Sequence, residues 1–79
     1  MVIKLEPKKH GNYFGRGLVY LAIGQPDKAL ADFNKCILAD PKNKHYYHYR
    51  SLAYFGLGET AKGESDASRV KELLDAEPE

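Results

Sequence analysis

Residues Tyr13 to Pro41 read YFGRGLVYLAIGQPDKALADFNKCILADP, and the fold is decided in this stretch. From Tyr13 to Ile23 the apolar residues Tyr13, Val19, Tyr20 and Ile23 recur at helical spacing, with the small Gly17 on the same side. Gly24-Gln25-Pro26-Asp27 then ends one helix and begins another. Glycine suits the position just past a helix, and proline suits the first helical turn. From Asp27 to Leu38, the residues Ala29, Phe33, Cys36 and Ile37 form one apolar stripe at i, i+4, i+7 and i+8. Asp40-Pro41-Lys42-Asn43 closes the unit, since Pro41 disfavours helical geometry at Asp40. Two helices joined by so short a turn lie antiparallel.

The unit recurs. Sliding the chain against itself by 34 residues sets Ile3 on Ile37, Pro7 on Pro41 and Lys8 on Lys42. The same shift sets Tyr13 on Tyr47, Arg16 on Arg50, Leu18 on Leu52, Tyr20 on Tyr54 and Gly24 on Gly58. Lys28 falls on Lys62 and Asp32 on Asp66. All these matches hold one register without a gap, at punctuating and apolar positions, which is the mark of a repeat architecture.

The stretch resembles the tetratricopeptide repeat. The large Tyr13 opens helix A, Gly17 is the small residue four positions on, Tyr20 is the aromatic and Gly24 the turn glycine. In helix B, Ala29, Phe33 and Cys36 match the family's Ala, aromatic and small positions, and Pro41 closes the repeat. Arg16 departs from the pattern, because leucine is commonest there. The resemblance implies an all-α fold of antiparallel helix-turn-helix repeats, stacked as a short right-handed α-solenoid.

On this frame residues 10–43 form the first repeat and residues 44–79 a second, more degenerate one. Tyr47, Ser51, Tyr54 and Gly58 fit helix A and its turn. Helix B carries Gly63 where alanine is expected and Ala67 where the aromatic belongs, and the closing proline is displaced to Pro78. Ala67, Val70 and Leu74 are expected to give this last helix its apolar stripe. Glu64, Asp66, Arg69, Lys71, Glu72 and Asp75 are expected to face water, as on a polar capping helix. Residues 1–9 occupy the register of the end of an earlier helix B, as a remnant of a preceding repeat. The face that would meet the missing helix is then apolar, and homodimerisation through it is expected.

In the family, successive A helices line a groove for a peptide. By register the groove positions are Gly11, Phe14, Gly15, Leu18, Leu21 and Ala22, followed by His45, His48, Tyr49, Leu52, Phe55 and Gly56. Some members clamp a C-terminal carboxylate with Lys, Asn and Arg at such positions. Here Phe14, Leu18 and Tyr49 stand there, so the groove suits apolar anchors of a helical segment. Leu18 and Leu52 could equally pack beneath a neighbouring repeat, whereas His48 and Tyr49 are expected to be solvent-accessible and to contact a ligand. Arg16 with Asp32, and Arg50 with Asp66, are expected to form ion pairs between the helices of each unit.

Other chemistries find less support. His45 and His48 sit at i, i+3, but no third ligand accompanies them, and no metal is expected. Cys36 falls at a packed small position and lacks any catalytic or CxxC context. No phosphate loop, nucleophile elbow or metalloprotease motif appears, so neither an enzyme nor a cofactor is expected. A net charge of +1 gives little attraction to nucleic acid or an anionic membrane. The longest charge-free stretch, Gly17 to Pro26, is far short of the roughly 20 residues of a spanning helix. With 79 residues, 43% of them hydrophobic and 29% charged, the chain can form one small globular domain. One cysteine suits a reducing, cytoplasmic setting. The reading is a scaffold or adaptor that binds another polypeptide, with a structural, mainly self-associating segment of a longer array as the alternative.

Overall fold

The computed structural model describes residues 10–76, which form four helices and, among the described residues, no strand. These are α1 (His10–Ala22), α2 (Pro26–Ala39), α3 (Lys44–Gly56) and α4 (Thr60–Ala76). The remnant expected over residues 1–9 and the displaced Pro78 lie outside the described residues. The architecture is all-α, two helix pairs stacked so that α2 packs on α3.

Each pair is closed by the same turn. At the end of α1, Gln25 N–H donates to Tyr20 O at 2.8 Å and Gly24 N–H to Leu21 O at 3.2 Å, which caps the last carbonyls. This arrangement needs a left-handed residue, and Gly24 supplies it at φ 79°. The turn after α3 repeats it: Glu59 N–H donates to Tyr54 O at 2.8 Å, Gly58 N–H to Phe55 O at 3.0 Å, and Gly58 has φ 79°. Between the pairs, Asn43 caps α3 by accepting from His45 N–H at 2.9 Å, and the Tyr47 hydroxyl donates to Pro41 O at 2.8 Å.

Within each pair, side chains meet rung by rung. Lys28 stands 5.7 Å from the Tyr20 ring centroid and Lys35 4.7 Å from that of Tyr13. Between them Arg16 donates from Nε to Asp32 Oδ2 at 2.9 Å and from Nη2 to Asp32 Oδ1 at 2.7 Å. In the second pair Lys62 and Arg69 lie 5.9 and 5.8 Å from the rings of Tyr54 and Tyr47. Arg50 holds Asp66 through two bonds of 2.7 Å each. Such rungs require antiparallel helices, and the expected ion pairs form in both units. The sequence reading set Asp66 in water; it is buried, because its carboxylate is the partner of Arg50.

The core lies at the junction of α1, α2 and α3. Ala29, Phe33 and Ala53 form its fully buried cluster, with Cys36 also fully buried. Phe33 lies so close to α1 that a Cβ on Gly17 would stand 2.6 Å from its Cε1. The second pair inverts this packing: Phe55 of α3 lies over Gly63 of α4, where a Cβ would stand 2.7 Å from its ring. The stripe expected on α4 is accordingly rotated. Gly63 and Asp66 are buried, Val70 and Leu73 half-buried, and Ala67 and Leu74 exposed. On α1, Val19 and Ile23 do not face inward as the spacing suggested; they are 46% and 59% exposed, since no helix among the described residues covers that side.

Four measurements check this packing. Phe33→Ala should lower the free energy of unfolding by about 3–5 kcal/mol in urea denaturation; an unchanged midpoint would place Phe33 outside the core. Gly17→Ala should cost about 1–3 kcal/mol, because the buried Phe33 ring cannot yield. Gly63→Ala should cost less than half as much, since the half-exposed Phe55 ring can swing away while alanine favours the helix. In a double-mutant cycle, Arg50→Met and Asp66→Asn should show a coupling of about 1–3 kcal/mol, and additive effects would reduce the pair to two solvated charges.

Candidate peptide groove

The side chains expected to line the groove divide into two groups. Phe14 and Tyr49 are half-buried and belong to an aromatic cluster that joins the repeats. The Phe14 ring lies 5.1 Å from Tyr46, 5.5 Å from Tyr49 and 5.9 Å from Phe33, in tilted and edge-on geometries that aromatic pairs favour. Leu18 and Leu21 are also half-buried and pack against the core. These four form the floor between α1 and α3, so their packing role is visible whatever else they touch.

The second group lies open on α3. His45 and His48 are exposed, Leu52 is 41% exposed and Phe55 43% exposed. Their spacing of i, i+3, i+7 and i+10 places them on one face of the helix. The His48 ring stands edge-on to Tyr49 at 5.0 Å, which ties the open row to the aromatic floor. Gly56 has a different use. A Cβ there would stand 3.2 Å from the Pro26 side chain, so it lets the end of α3 approach the start of α2. Gly15 and Ala22 bring no bulk to the floor.

The positions carried by the family pattern fall at contacts between elements. Tyr13, Tyr20, Tyr47 and Tyr54 flank the two arginines, with Arg16 5.7 Å from each of its rings and Arg50 5.5 and 5.6 Å from its own. The hydrogen bond to the paired aspartate raises both guanidinium pKa values further. Cys36 is a buried thiol whose pKa is pushed up to about 11, by burial first and by Asp32 second. That disfavours the thiolate and any nucleophilic role. Sequence reasoning overlooked Tyr46 and Ala53, both buried, and the Arg50 Nη1 bond of 3.0 Å to Asn34 Oδ1. Tyr46 was hidden in a run of aromatic and basic residues with no single period. Asn34 has no counterpart in the second repeat to signal its use, because Ser68 stands there.

No cluster of three or more His, Cys, Asp or Glu able to hold a metal occurs among the described residues. No helix among them is long and apolar enough to cross a membrane. The expected groove positions present apolar surface and two imidazoles.

Comparison with known proteins agrees with the geometry. A stretch of the chain is 40% identical over 43 residues to a UDP-N-acetylglucosamine–peptide N-acetylglucosaminyltransferase of Giardia intestinalis. The match covers 54% of this chain but 3% of that protein, so its transferase activity is a property of the relative. No solved structure gives a significant match. Among protein families, the tetratricopeptide repeat matches residues 13–43, the segment that holds most of α1, all of α2 and the turn into α3. With the paired helices, the glycine turn and the Gly17–Phe33 contact, that match identifies residues 13–43 as a tetratricopeptide repeat, a motif of protein–protein interaction.

Proposed function

We propose that the chain is a scaffold or adaptor module whose A helices, α1 and α3, receive an amphipathic helical segment of another protein. Residues 10–43 act as one repeat and residues 44–79 as a second, with α4 as a polar closing helix. The observation that carries this reading is the open row His45, His48, Leu52 and Phe55 beside the floor of Phe14, Leu18, Leu21 and Tyr49. Isolated exposed leucines are ordinary, but a leucine and a phenylalanine aligned with two imidazoles form a directional strip. Apolar anchors at i, i+3 and i+7 of a bound helix match such a strip, and the imidazoles accept or donate at its edge. The site works by binding, without covalent chemistry or a cofactor. A cytoplasmic setting suits the single buried thiol.

A second reading, a structural segment used mainly for self-association, draws on the exposed Val19 and Ile23 of α1. The two readings use different surfaces. Titration of the labelled protein with a panel of amphipathic helical peptides separates them by nuclear magnetic resonance. Groove binding shifts amides of α3 around His48 and Leu52; a panel that leaves these amides still would remove the groove reading. His48→Ala should keep the melting midpoint within about 2 °C while weakening the bound peptide about tenfold.

A further inference from the structure

The seam between α2 and α3 provides an internal template for the uncovered side of α1. On α3, Ala53 is fully buried against Ala29 and Phe33, and Arg50 Nη1 donates to Asn34 Oδ1 at 3.0 Å. On α1, 34 residues earlier, Val19 stands in the place of Ala53 and is 46% exposed. Arg16 holds Asp32 through Nε and Nη2, as Arg50 holds Asp66, but its Nη1 has no hydrogen-bond partner among the described residues. Among the described residues the same face is therefore occupied once and open once.

We propose that the open face of α1 receives α4 of a second copy, head to tail, in the register that joins α3 to α2. The shift of 34 residues places exposed Ser68 opposite Arg16, where Asn34 meets Arg50. A serine hydroxyl accepts from the guanidinium as the amide oxygen does. The same shift places Gly63 and Ala67 opposite Val19, where Ala29 and Phe33 meet Ala53. Val19 is larger than Ala53 but Gly63 and Ala67 are smaller than Ala29 and Phe33, so the contact is less filled than the internal seam. Glu64 and Lys71 stand where α2 has Leu30 and Ile37, so the rim is polar and the contact is weak and reversible.

A symmetric contact of α1 with α1 would bring the two Arg16 guanidinium groups together and leave α4 unused. The head-to-tail contact uses both ends. It is heterologous, so it does not close at two copies, and chains lengthen with concentration. The contact does not depend on what the groove binds, although it would set the α3 strip of one copy beside Leu18 of the next.

Sedimentation equilibrium from about 20 µM to about 1 mM tests the seam, using the wild-type chain and two variants at exposed positions. Val19→Glu blocks the α1 face and Ala67→Glu the α4 face, so that the two blocked faces also repel each other. Circular dichroism melts that match the wild type establish that both variants fold. The wild-type mass should rise beyond twice the monomer. Either variant alone should stay monomeric, and an equimolar mixture should form a one-to-one dimer and stop there, because each variant retains the face the other lacks. A wild-type chain that remains monomeric throughout overturns the proposal. So does a wild-type plateau at the dimer with Ala67→Glu still dimerising, which is the signature of the symmetric contact.

Discussion

The structure depends on a charge held inside each helix pair. Asp32 and Asp66 are buried, and a buried carboxylate without a counter-charge would carry a desolvation cost no small fold can bear. Arg16 and Arg50 meet that cost with a bidentate bond, and tyrosines on either side of each arginine shield the guanidinium while attracting it. The geometry of the fork also fixes how the helices slide. A shift of one turn would separate the ion pair and misplace the lysines and Arg69 that lie against the tyrosine rings. The departure from the usual leucine thus substitutes a directional contact for a diffuse apolar one.

This exchange explains how a modest core suffices. The fully buried apolar side chains are few, and the largest of them, Phe33, is shared by α1, α2 and α3. The second pair has no equivalent, since Ala67 takes that position. It relies on the Arg50–Asp66 bond, the Phe55 ring over Gly63, and the Asn34 contact that ties it back to α2. Stability in such an array comes from each pair and its neighbour contact together, so the second pair borrows order from the first.

Much of this was legible in the sequence, and the rest was not for definite reasons. Glycine and proline punctuation placed all four helices, because a left-handed turn and a helix start demand those residues. The charged pairs were visible as matched positions in both repeats. Burial was harder to read. Val19 and Ile23 have helical spacing, but spacing does not tell whether another helix covers that side. Asp66 was set in water by its charge, yet the arginine 16 residues earlier draws it inward. The last helix appeared degenerate because Gly63 and Ala67 fail the pattern, whereas the bulky partner had moved to Phe55 on the opposing helix. Which of the expected groove residues lie open and which pack between α1 and α3 followed only from the packing.

Cys36 gives the fold a reporter of its own motion. It is a fully buried thiol in α2, the helix that touches both neighbours, and its proton is held to about pH 11. In the closed state it is invisible to alkylating and disulfide reagents near neutral pH. Any modification therefore passes through molecules in which α2 has parted from its neighbours, and the labelling rate measures how often that happens. The residue that brings no chemistry to the groove thereby records the rate at which the helices separate.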